Sequence, residues 1–134
     1  MLGDHLVFPI LLSTDLGASR AFYHDTLGLE ILRQDDERII FRCGFGSQLA
    51  LTLSTTGTSD TQTQLAWRVP DLHAALEDLR ARGVRIEAYE APDPVTDADG
   101  IADMGYAWAA WITDPSRNVL GLIEVKPAVA DPRG

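Results

Sequence analysis

The stretch LSTDLGASRAFYHDTLGLEIL, residues 12–32, passes from a strand-like apolar run to Asp15-Leu16, through a helix-like segment, to Gly28 and a second apolar run. About 56 residues later LAWRVPDLHAALEDLRARGVRIEAY, residues 65–89, repeats that order: strand, Asp71-Leu72, helix, Gly83, strand. Repetition at this period means two copies of one supersecondary unit, each too small to bury its own apolar face. The copies are therefore expected to pack together, with a ligand in the space between them.

Working outward, Asp15 and Asp71 each offer a carboxylate to cap the helix that follows, and Gly28 and Gly83 supply left-handed exits. In the second helix Leu72, Ala75, Leu76 and Leu79 recur at helical spacing, while Glu77, Asp78, Arg80 and Arg82 fill a solvated face. Asp78 and Arg82, four apart, are placed to pair across a turn. After each helix the period falls from 3.6 to 2, which signals strands. Strands are expected over residues 6–13, 29–34, 39–43 and 48–54, then 64–69, 85–89, 106–113 and 118–125. The expected fold class is thus α+β, two β-α-β-β-β modules (residues 5–54 and 64–126) in one 134-residue domain, with TTGTSDTQT (55–63) as linker. The Pro/Gly/Asp-rich insertion at 90–105 has the length and composition of a lid, and the tail from Lys126 is expected to fray.

Composition narrows the classes of function. A net charge of −9, from 20 acidic against 11 basic residues, repels phosphate backbones and anionic lipid, so neither nucleic acid nor membrane is an expected partner. No stretch approaches the apolar length of a membrane span. The opening MLGDHLVFPILL carries an acid where a secretory signal carries positive charge. Cys43 is the single cysteine, so no intrachain disulfide forms and the expected compartment is the cytoplasm.

DLGASRAFYHDTLGLEIL (15–32), its echo VPDLHAALEDLRARGV (69–84) and the hairpin WITDPSRNVLGLIE (111–124) together resemble the vicinal oxygen chelate superfamily, which groups glyoxalase I, bleomycin-resistance proteins and extradiol dioxygenases. The resemblance covers almost the whole chain. It implies two modules whose sheets curl into a cup, and homodimers are usual among relatives of this size.

In metal-using relatives, His, Glu or Gln at four equivalent strand positions holds a divalent ion. Those positions here are Phe8, Ala50, Gln64 and Gly121. A cation needs lone pairs, and only Gln64 offers one, so neither a metal nor another cofactor is expected. The histidines do not substitute, because His24 and His73 lie on the helices and His5 has the opposite strand parity to Phe8. Glu124, three residues beyond Gly121, also points away from the cup.

Alternation from those four positions places Ile10 and Leu12, Thr52, Arg68, and Trp111 on the same inward face. The resemblance puts an aromatic facing the ligand at Trp111, whose indole offers a surface for stacking or for a cation. Arg68 is suited to a carboxylate or phenolate, or else reaches solvent at the rim. Ligand-binding candidates are therefore Phe8, Ile10, Ala50, Thr52, Gln64, Arg68, Trp111 and Gly121. Trp67 and Trp108 have outward parity. Three functions fit these residues. The first is metal-independent binding, and so sequestration, of an aromatic or cationic small molecule. The second is a metal-free isomerase, epimerase or cyclase working through Arg68 or a tyrosine, and the third, least favoured, is a metal-dependent lyase or dioxygenase. Finally, Arg117 stands where relatives carry glycine in the last turn, which predicts a non-glycine residue held left-handed.

Overall fold

The computed structural model describes residues 1–56, 62–90 and 94–127. Most of the expected linker, residues 91–93 of the insertion and the tail from 128 lie outside the described residues. The chain divides into two compact units, Met1–Gln64 with Asp114–Asn118, and Leu65–Thr113 with Val119–Gly134.

The first unit is built on a four-stranded sheet of order β1-β4-β3-β2. Its strands are β1 (Ile10–Ser13), β2 (Glu30–Gln34), β3 (Arg38–Arg42) and β4 (Gln48–Leu53). β1 runs parallel to β4, and β2 and β3 complete the sheet antiparallel. The helix α1 (Leu16–Arg20) is capped by Asp15, whose carboxylate accepts from Ala18 N at 3.0 Å. It continues as a π-helical segment, Ala21–Thr26, which carries the fully buried Tyr23. Leu11, Ser13, Ile39, Phe41, Leu49 and Leu51 are all buried, so alternate residues of β1, β3 and β4 form the core beneath this helix.

The second unit repeats the capped helix. α2 (Leu72–Ala81) is capped by Asp71, which accepts from Ala74 N at 3.1 Å, and it buries Leu72, Leu76 and Leu79. Asp78 and Arg82 pair at 3.0 Å. The sheet has order β5-β8-β7-β6, from β5 (Thr63–Arg68), β6 (Ala102–Asp103), β7 (Ala107–Thr113) and β8 (Val119–Val125). Gly28 (φ 80°) and Gly83 (φ 81°) make the left-handed helix exits, and Arg117 is left-handed at φ 70°.

Two strand expectations are corrected. The first strand starts at Ile10 rather than at residue 6. Pro9 has no N–H to donate, so the ladder opens with its carbonyl, which accepts from Ala50 N at 3.0 Å. The segment 85–89 runs beside β7, with Glu87 N donating to Trp111 O at 2.8 Å, yet it is not a strand. The partner of β7 is instead β6, which comes from the insertion and registers Ala102 with Ala109 and Asp103 with Trp108. A tight return through Met104–Tyr106, closed by Met104 N to Ala107 O at 2.8 Å, brings β6 to β7 with little loop entropy to overcome. The insertion is therefore partly a sheet strand, anchored by Asp97, whose Oδ1 accepts from Asp99 N and Ile101 N, each at 2.9 Å.

Candidate functional site

In the first unit the register Ile10↔Ala50↔Ile40 and Leu12↔Thr52↔Arg38 sets these residues in two rows on the sheet face opposite the helix. Ile10, Ala50 and Thr52 are thus brought together, Ala50 buried, Thr52 half-buried and Ile10 exposed. Phe8 lies ahead of β1 and is 46% exposed, so it is not a member of that strand face. Gln64 is half-buried near the start of β5, and Arg68 is exposed at its end.

The second unit places Trp111 opposite Gly121, with Ala109 opposite both Ile123 and Ala102, and Thr113 opposite Val119. Trp111, Ala102, Ala109 and Val119 form an apolar cluster against which Tyr89 and Ile123 pack. Trp111 is 9% exposed, and Tyr89 meets it edge-on, ring centroids 5.5 Å apart at 76°. The indole is thereby fixed in orientation, with a glycine rather than a side chain across the ladder. Trp111 and Gly121, two residues chosen from sequence, are direct neighbours. Tyr89 is directed toward Trp111.

On the opposite face of this sheet lies a cavity of about 480 Å³ lined by residues including Leu72, His73, Asp97, Ile101, Trp108 and Glu124. Its carboxylates already serve the fold. Glu124 Oε1 accepts from Leu72 N at 2.8 Å and, with Asp71, caps α2, while Asp97 closes its own turn. Lys126 sits over the Trp108 ring at 5.2 Å and bonds Asp103 at 2.6 Å. That hydrogen bond, helped by one from Gly105 N, holds the Asp103 carboxyl below the usual carboxylate range.

A polar network in the first unit was not foreseen from the sequence. Asp114, buried, accepts through Oδ1 from Ser116 N at 2.9 Å and Asn118 N at 2.8 Å, and through Oδ2 from Asn118 Nδ2 at 2.8 Å and Tyr23 Oη at 2.6 Å. Asn118 Nδ2 also donates to Leu12 O at 2.8 Å. Burial, and then the adjacent carboxylate, push the Tyr23 phenol far above its ordinary value, so it remains a neutral donor. The sequence signal for half of this was present, since Asp114-Pro115 followed by Asn118 is a self-bonding turn. The partner Tyr23, 91 residues away, had none.

As to metal, Phe8, Ala50 and Gly121 have no lone pair on their side chains, which leaves Gln64 alone. Among the described residues no three His, Cys, Asp or Glu side chains gather as ligands. Those four side chains, taken as a set, do not fit a chelated divalent ion. No helix of the described residues is long and apolar enough to cross a membrane.

This arrangement of two capped-helix units on four-stranded sheets is matched by known proteins. The family model of the Glyoxalase/Bleomycin resistance protein/Dioxygenase superfamily matches residues 4–122, and the chain belongs to that superfamily. Solved structures share the fold. An antibiotic-binding protein from a Streptomyces species is 20% identical, with a TM-score of 0.67, covering 91% of this chain and 96% of that one. A bleomycin-binding protein in complex with bleomycin is also 20% identical, with a TM-score of 0.67 and coverage of 91% and 99%. A genomically encoded fosfomycin resistance protein from Listeria monocytogenes is 14% identical, with a TM-score of 0.67 and coverage of 92% and 95%. Comparison with curated protein sequences gives no match.

Proposed function

We propose that this protein binds, and so sequesters, an aromatic or cationic small molecule without a metal, as a cytoplasmic homodimer. The observation that carries the reading is the apolar face of the second sheet, where Trp111 stands opposite Gly121 and is braced edge-on by Tyr89. A fixed indole among small side chains suits stacking on an aromatic ring or holding a cation. Ile10, Ala50, Thr52, Gln64, Arg68 and Phe8 are further candidate contacts. The donor chemistry at Phe8, Ala50, Gln64 and Gly121 supports metal independence. Structural neighbours that bind antibiotics support the ligand class. The single cysteine supports a reducing compartment.

The test is a tryptophan-fluorescence titration of purified protein against a panel of aromatic and cationic compounds, with and without chelator, alongside Trp111→Phe and product analysis. Saturable quenching that is insensitive to chelator, weakened by Trp111→Phe and without turnover is expected. Chelator-sensitive binding overturns the metal-free reading, and turnover replaces sequestration with catalysis.

A further inference from the structure

Trp108 and Glu124 pair across β7 and β8 with strand parity opposite to that of Trp111 and Gly121, so they occupy the other face of the second sheet. The cavity of about 480 Å³ opens there. Its lining belongs wholly to the unit Leu65–Thr113 with Val119–Gly134, and it shares no residue with the apolar cluster around Trp111. A space of that size is within the ~300–1,000 Å³ of small-molecule sites.

The walls are of two kinds. Leu72 and Ile101 are buried and Trp108 half-buried, which gives a low-dielectric surface, whereas Asp71, Asp97 and Glu124 bring three carboxylates. Each carboxylate is aimed by the backbone through one oxygen. Asp71 Oδ1 accepts from Ala74 N at 3.1 Å, Glu124 Oε1 from Leu72 N at 2.8 Å, and Asp97 Oδ1 from Asp99 N and Ile101 N, each at 2.9 Å. The second oxygen of each takes no hydrogen bond from the described residues, and none of the three acids forms an ion pair among them. Other acids of the same unit are neutralised, Asp78 by Arg82 and Asp103 by Lys126. Lys126, although its ammonium lies 5.2 Å from the Trp108 ring centroid, is held by Asp103 at 2.6 Å and is not part of the lining.

Charge therefore selects the occupant. No Lys or Arg lines the cavity, and its ionisable groups besides His73 are all acids, in a chain of net charge −9. A cleft with charges of one sign and low-dielectric walls focuses their field on a counter-ion. An anion is repelled, and the α2 amides of Leu72 and Ala74 that would attract one are already taken. A chelated metal does not fit either, because among the described residues no three His, Cys, Asp or Glu side chains gather as ligands. Acids spread around an apolar wall suit a cation joined to an apolar body, its N–H groups on carboxylate oxygens and its body against Trp108, Leu72 and Ile101. We infer that this cavity is a second binding site, for a small organic ammonium carrying an apolar or aromatic group. It does not rest on the reading of Trp111.

The test is a titration of the full chain with phenethylammonium chloride, followed by NMR at the indole N–H resonances of Trp67, Trp108 and Trp111, each assigned through its Trp→Phe variant. A saturable shift at Trp108 is expected, at least about tenfold weaker for 2-phenylethanol, which has the same body without the charge. Asp97→Asn with Glu124→Gln keeps both backbone acceptors and removes two charges, so the dissociation constant should rise about five- to tenfold. Raising the salt to about 0.5 M on the unaltered chain should weaken binding in the same direction, which keeps the charge testable whatever the double variant does to folding. A Trp108 resonance that stays in place throughout overturns the site. So does a shift that 2-phenylethanol reproduces with equal affinity, or one that salt leaves unchanged. Shifts confined to Trp111 overturn this site and support the ligand reading of the opposite face, whereas a response at Trp108 with Trp111 silent upholds this site and leaves that reading to its own titration.

Discussion

Replacing Tyr23 by Phe removes one atom and keeps the packed ring, so it isolates the hydrogen bond from Tyr23 Oη to Asp114 Oδ2 at 2.6 Å. Tyr23 is fully buried and Asp114 5% exposed, so water does not replace the lost donor freely. A hydrogen bond to a charged group is worth about 1.5–3 kcal/mol, and Asn118 Nδ2, which shares Oδ2 at 2.8 Å, limits the loss to the middle of that range. The expected destabilisation is about 2 kcal/mol, which for a chain of 134 residues is a fall of about 7 °C in Tm. Urea denaturation of Tyr23→Phe, Asp114→Ala and the double variant measures it, and in the Asp114→Ala background the effect of Tyr23→Phe should shrink to a few tenths of a kcal/mol. The phenol also predicts a pH dependence. Its folded value is raised above the ordinary 10.0, so its contribution is fully present below that value and is lost as pH climbs beyond it. Wild-type stability should fall by an extra ~1.4 kcal/mol per pH unit above about 10, a slope absent from Tyr23→Phe. A Tyr23→Phe protein within 0.5 kcal/mol of wild type, with an unchanged alkaline limb, would falsify the network as described.

Substitutions at three other positions probe the fold. Arg117→Gly should be neutral or up to about 1 kcal/mol stabilising, since Arg117 sits at φ 70°, and a clear loss by denaturation would show that its side chain repays the strain. Gly100→Ala should cost about 2 kcal/mol or more, because Gly100 has φ 86° and an added Cβ would stand 2.7 Å from Ile86 Cγ2; an unchanged Tm would mean that the loop yields. Glu124→Ala should cost about 1 kcal/mol by uncapping Leu72 N, whereas Glu124→Gln, which keeps an acceptor, should hold most of it. Equal losses in the two variants would assign the effect to charge instead.

Periodicity carried the reading of the fold wherever one face of an element is buried. The cap residues Asp15 and Asp71, the exits Gly28 and Gly83 and the buried leucines of α2 are where the sequence places them, because each is dictated by neighbours within a turn or two. Strand ends were less legible. A proline stopped the ladder at Pro9, and the sixth strand lay not in the periodic segment 85–89 but in the short Ala102–Asp103, since a tight return to β7 outweighs local pattern. The same contrast holds at the candidate site. Strand parity assigns Trp111, Gly121, Ile10 and Ala50 a face of their strands, because alternation is a property of the strand itself, whereas the pairings Trp111↔Gly121 and Ile10↔Ala50 come from the ladder register. The side chains that fix those strands obey no period. Tyr23 looks in the sequence like any aromatic of an amphipathic helix, and only the π-helical turn, with Leu27 N bonding Phe22 O at 2.9 Å, accompanies its approach to a carboxylate 91 residues on. Tyr89, in an extended segment with one ladder bond, likewise reaches Trp111 by tertiary packing. Apolar faces are written into the chain by repetition, whereas the polar and aromatic contacts that hold those faces in place are single long-range meetings. Substitutions at Tyr23 and Asp114 consequently test the structure more sharply than substitutions along either apolar face, where neighbouring side chains share the load.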